Sequence, residues 1–162
     1  MRAGITGHQD LGTSGNIAWV EERLAEWIAR ESVNLGFTSL ARGADQLFAK
    51  ILRRKEIPFV GILPSVGYET TFEVNADRER FVNLCAAAVR LVRLDFSAPT
   101  EAAFLAAGRR VVDEAEMVFA IWNGLPAAGT GGTGDVVAYA LAQGKRLVHL
   151  DPWTRKILEI EK

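Results

Sequence analysis

Residues 129–135 read Gly-Thr-Gly-Gly-Thr-Gly-Asp and stand between an apolar run and a helical pattern. Glycine lets a backbone take positive φ and approach a ligand closely, and free N–H groups at a helix start favour a phosphate. Gly129, Gly131, Gly132 and Gly134 therefore read as a phosphate cradle, with hydroxyl donors from Thr130 and Thr133. A plain connection would not carry these glycines, because each costs conformational entropy on folding. A second cluster, Gly4, Gly7, Gly12 and Gly15, again joins a strand to a helix start, with Ser14 as the N-cap. In it, Gly7 lines the ligand pocket, and His8 bonds phosphate, acts as acid or base, or only orients the loop. The third group is Arg42-Gly43-Ala44-Asp45-Gln46. Gly43 permits a tight turn and Arg42 offers a cation to a phosphate or remains a solvated surface charge. Asp45 either complements the helix dipole or turns a carboxylate to ribose hydroxyls, and Asp135 has the same two options. His8, Asp45 and Asp135 are the candidate catalytic groups, and none has an assigned role.

Trp122, Tyr68 and Phe72 fall in neighbouring loops, where a base could stack or the rings could pack as lid or core. Trp19 lies opposite the apolar stripe of its helix, among Glu22, Arg23 and Glu26, and reads as an exposed partner patch. Residues 129–134 also fit G-x-G-x-x-G, with Asp151 as the ribose acid, so NAD-type binding is a minor reading. Against it, the loop after Trp122 is long and belongs to the last β-α-β unit. The cradle lacks the Gly-Lys-Ser/Thr ending of an ATP-hydrolysing loop, and Lys145 is badly placed to replace it. His8, His149 and Cys85 show no metal-ligand spacing, so no metal site is expected. No cofactor is assigned beyond a nucleotide-type ligand, which Mg²⁺ could accompany.

The elements that must position these groups alternate along the chain. Strands are read at residues 3–6, 37–41, 59–63, 89–94, 117–122 and 146–150. Between them come a helix with Ile17, Val20, Leu24, Trp27 and Ile28 inward and Gly36 as its cap, and a helix over 44–56 that Pro58 stops. A third helix runs from an Asn75 cap to residue 87, a fourth from Pro99 to 114, and a fifth from 135 to 143, ended by Gly144. Residues after 150 read as a tail. This order predicts an α/β fold: a three-layer, doubly wound parallel sheet of about six strands with helices on both faces. Ligands bind such sheets beyond the carboxyl ends of the strands, where the strand order reverses.

The chain has 162 residues, which predicts one domain over 1–162. Lys and Arg number 19 against 20 Asp and Glu, a net charge of −1, so there is no general electrostatic footprint for a nucleic acid or a membrane surface. Neither partner is expected, and any anion must be held locally. Residues 117–134 are uncharged and long enough to span a bilayer, but Pro126 and the glycines make them a poor lipid-exposed helix. A start without a long apolar region and a single cysteine, Cys85, predict a cytoplasmic protein.

Together, Gly4-Ile5-Thr6-Gly7-His8, Arg42-Gly43-Ala44-Asp45-Gln46 and Asn123-Gly124-Leu125-Pro126 leading to Gly131-Gly132-Thr133-Gly134-Asp135 resemble the SLOG superfamily. That group gathers Rossmann-like proteins similar to the cytokinin-activating phosphoribohydrolases and the DNA-processing protein of natural transformation. The resemblance covers most of residues 3–150 and is closest to small stand-alone bacterial members. It implies a pocket between the glycine loops for a nucleotide or nucleotide-derived ligand, such as a nucleoside monophosphate or ADP-ribose, often in a homodimer. The phosphoribohydrolase loop, G-G-x-G-T-x-x-E, ends on a catalytic glutamate; three residues after Thr133 this chain has Val136. The expected function is therefore binding or sensing of such a ligand. Hydrolysis of a nucleotide N-glycosidic bond is the alternative, and an interaction module using the Trp19 face is a third.

Overall fold

A computed structural model describes residues 1–74, 76–127 and 131–161. Its strands are β1 (Arg2–Gly7), β2 (Leu35–Thr38), β3 (Phe59–Leu63), β4 (Arg90–Arg93), β5 (Met117–Ile121), β6 (Arg146–Asp151) and β7 (Lys156–Ile160). Its α-helices are α1 (Ser14–Arg30), α2 (Ala44–Arg54), α3 (Ala76–Ala87), α4 (Glu101–Glu114) and α5 (Thr133–Ala142). They form a seven-stranded sheet in the order β4-β3-β2-β1-β5-β6-β7. Neighbouring strands pair in parallel except β6 and β7, which are antiparallel, with His149 opposite Leu158. The α/β, doubly wound reading therefore holds, with one more strand than expected: residues 156–160 form an edge strand where a tail was predicted.

Period-two alternation divides the core. In β5, Met117, Phe119 and Ile121 face the side packed by α1, α2 and α3, while Val118 and Ala120 face α5. Both faces of the central strands are covered, which is why β3 and β5 are buried at every residue. On α1 the buried stripe is Asn16, Val20, Leu24 and Ile28, one residue on each turn. Ile17 was expected inside but is 42% exposed. Trp19, expected as an open patch, packs against the core, with the Arg155 guanidinium over its ring at 5.6 Å.

Several boundaries shift for local reasons. Thr13, not Ser14, caps α1, its hydroxyl accepting the Asn16 N–H at 3.2 Å. Thr100 caps α4 in the same way through Ala103, which leaves Pro99 outside the helix. The first helix ends at Arg30, and Gly36 lies within β2, where lack of a side chain makes room for Leu52 and Phe48. The expected Asn75 cap lies outside the described residues. Tyr68 and Phe72 belong to a 3₁₀ turn (Tyr68–Thr71) and its exit. Their rings are buried against Phe81, with Phe72 and Phe81 stacked at 4.3 Å, so they pack in the core and not on a ligand.

Candidate functional site

The strand order reverses between β1 and β5, whose carboxyl ends lie side by side with Gly7 opposite Ile121. His8 sits at that reversal. Its N–H donates to the Ile121 carbonyl at 3.0 Å, and its own carbonyl accepts the Ala44 N–H at 3.1 Å. Three segments are thereby pinned together, and the two glycines nominated from sequence are what let them meet. A β-carbon on Gly7 would overlap Ala44, and one on Gly43, at φ +77°, would overlap the carbonyl oxygens of His8 and Gln9. Gly7 and Gly43 thus serve close packing of the rim.

The glycine-rich segment leads into α5. Gly131, at φ +85°, lies so close to α4 that a β-carbon would stand 2.9 Å from the Glu101 carbonyl oxygen. Its N–H donates to Asp135 Oδ2 at 2.9 Å, so Asp135 reaches back to hold the loop. Gly134 carries the backbone of Ala127 across it, where a β-carbon would clash at 2.7 Å from the Ala127 nitrogen. Among the described residues no side chain caps α5, whose N-cap is Gly132 and whose first residue, Thr133, is buried. Gly129 and Thr130, the other half of the expected cradle, lie outside the described residues.

Asp45, read from sequence as a dipole partner or a ribose acid, closes the loop that precedes its own helix. It is buried, its Oδ2 accepting the Ser39 N–H at 2.9 Å and the Thr38 hydroxyl at 3.1 Å. Loss of hydration pushes this carboxyl up to about 7, against the lowering effect of those bonds. It is not a free carboxylate on the rim. Arg42 is exposed and pairs with Asp77 of α3 at 3.3 Å, and Asp77 also pairs with Arg80. The two arginines hold the Asp77 carboxyl below the usual range. From Arg42 a groove of about 590 Å³ runs between α1, α2 and α3, with Lys50, Arg53 and Arg80 at its walls and Leu47 and Leu84 among its apolar lining.

Two tryptophans of the rim differ in role. Trp122 holds the loop after β5, its Nε1–H donating to the Leu125 carbonyl at 2.8 Å while its own carbonyl lies 2.7 Å from His149 Nε2. Trp153, which motif reading passes over because it lies in a stretch read as a tail, is in the turn between β6 and β7 with its ring centroid 5.7 Å from that of His8. Asp151, considered as a ribose acid, instead accepts the N–H groups of Trp153 and Thr154 and shapes this turn.

No family model and no curated protein matches the chain. Solved structures do. DNA processing protein A from Streptococcus pneumoniae superposes with a TM-score of 0.67 at 12% identity, over 91% of this chain and 49% of that one. DNA processing protein A from Helicobacter pylori, described by its single-stranded DNA binding mode, gives 0.64 at 18% identity over 92% and 64%. A molybdenum cofactor binding protein from Rippkaea orientalis gives 0.59 at 21% identity over 93% and 76%. These likenesses show a shared Rossmann-like α/β fold. The chain spans about half the length of the pneumococcal structure and 64% of the Helicobacter one. The expectation against a nucleic-acid partner is corrected here, since this Rossmann-like fold is shared with a protein described by its single-stranded DNA binding mode. Net charge sums over the whole surface, whereas the cations of the α2–α3 groove are gathered on one side. Among the described residues no helix is long and apolar enough to cross a membrane.

Proposed function

We propose that the rim between β1 and β5 binds a ligand built on a nucleotide unit. The observation that carries this reading is α5, which leaves the strand-order reversal on glycines and has no side-chain cap among the described residues. A helix start of that kind presents main-chain N–H groups and the positive end of its dipole to a phosphate. Thr133 would add a hydroxyl, and His8, fixed through its backbone, stands on the adjoining loop. Two solved neighbours are named for binding molybdenum cofactor and single-stranded DNA, which supports a ligand site on this fold.

A second reading extends the first: the nucleotide is one unit of a single strand. The groove that starts at Arg42 favours it, because Arg42, Lys50, Arg53 and Arg80 face one acid, Asp77, among its lining. N-glycosidic hydrolysis has less support, since Asp45 is buried, Asp135 holds Gly131 and Val136 replaces the glutamate. Calorimetric titration with AMP, ADP-ribose, NAD and a short oligothymidylate tests both readings. Binding of any mononucleotide supports the rim, and tighter binding of the oligomer supports the strand. Failure of all four at millimolar concentration overturns the proposal.

A further inference from the structure

Trp153 is 44% exposed, and the turn that carries it is fastened at several points. Its N–H donates to Asp151 Oδ1 at 2.9 Å, and its turn is fastened to α1 by Arg155, whose Nη2–H donates to Asn16 Oδ1 at 3.0 Å. Arg155 Nε–H also donates to the Pro152 carbonyl at 3.0 Å, and the Asn16 side chain donates to the Leu11 carbonyl at 3.0 Å. Arg155 itself takes φ +57°, a conformation that a non-glycine residue adopts at a cost, so the turn is held against local preference. The indole lies against Gly12, where a β-carbon would come within 3.2 Å of Nε1, and meets the His8 ring at 67°. A tryptophan gains most by burying its ring, and a slack turn would let it settle onto the surface. This one is braced in a half-exposed position on the rim where β1, β5 and β6 end, beside the residue at the strand-order reversal.

We propose that Trp153 is the stacking platform for a planar ring of the bound ligand, with the His8 ring edge-on to set the orientation of the indole. The inference rests on the reading of the rim as a nucleotide site and adds the element that chooses the ligand. Phosphate would be recognised by main-chain groups, and the base by the β6–β7 turn. Stacking on an aromatic ring tolerates any base, because every base has a π-face, so the platform selects for the presence of a ring before its identity.

The test titrates wild type, Trp153→Ala and Trp153→Phe with AMP and with ribose 5-phosphate, following heat and tryptophan fluorescence. Expected are a loss of about five- to a hundredfold in AMP affinity for Trp153→Ala, near-retention in Trp153→Phe, and ribose 5-phosphate binding that does not depend on position 153. AMP binding to wild type with unchanged affinity in Trp153→Ala overturns the platform and leaves the nucleotide reading in place. An equal loss for AMP and ribose 5-phosphate overturns it too, because the damage would then lie in the phosphate site. If wild type binds neither, both readings fall together.

Discussion

At the start of α2 the Asp45 carboxyl closes its own loop on Ser39 and Thr38, and burial pushes it up to about 7 from an ordinary 3.8. Between those values the folded state holds a proton that the unfolded state has released. Stability from this group is thus complete below pH 4 and falls as the pH rises to about 7, by up to about 4 kcal/mol if the whole shift is realised. Asp45→Asn keeps an oxygen to accept the same bonds and has no charge to bury. The variant should therefore show a flatter stability profile from pH 4 to 8 and gain on wild type at the alkaline end, measured by urea unfolding at each pH. A slope identical to that of wild type would assign the pH dependence to other groups. From sequence, an aspartate in the first turn of a helix fits both the dipole and a ribose, because the pattern does not say which side of the loop its carboxyl takes. Here the hydroxyl of Thr38, in the strand before, draws it inward.

At the level of elements, the rim depends on the β1–α1 and β2–α2 connections lying one against the other. Gly43 lies at φ +77° and ψ −122°, a region essentially closed to side-chain-bearing residues, with the His8 and Gln9 carbonyl oxygens directly above. Gly43→Ala should cost about 2–3 kcal/mol in chemical unfolding and displace the His8 loop, visible as amide shifts at residues 8–10. Full stability with unmoved amides would show that the two connections are not clasped. The order of strands and helices was legible because buried parallel strands and amphipathic helices leave different periods in the sequence, as Phe59–Leu63 and the Val20, Leu24, Ile28 stripe do. β7 was not legible: in Lys-Ile-Leu-Glu-Ile both faces are partly exposed, so neither a run nor an alternation marks it. Gly36 misled for a related reason, since a glycine that admits a neighbour's Leu52 looks the same in sequence as one that caps a helix.

Across the whole molecule the charges nearly cancel, and the arrangement matters more than the sum. Four cations against one acid along the groove from Arg42 make a local field that a net charge of −1 conceals. If a single strand follows the groove, Lys50→Ala with Arg53→Ala removes two phosphate partners. The slope of log affinity against log salt should then fall by about 1.4, at about 0.7 for each lost contact. Fluorescence anisotropy of a labelled oligothymidylate across a salt series would measure it, and an unaltered slope would take the strand off that surface. β7 bears on the molecule in another way. A further parallel strand would need a helical crossover to return to the same end of the sheet. An antiparallel one needs only a hairpin, and its turn falls among the loops that already crown the parallel strands. Residues 152–154 can thus be exchanged without re-threading any β-α-β unit as long as Asp151 and Arg155 keep the turn fastened, so on the proposed reading this hairpin is where an altered ligand preference would arise at least cost to the fold, by drift or by design.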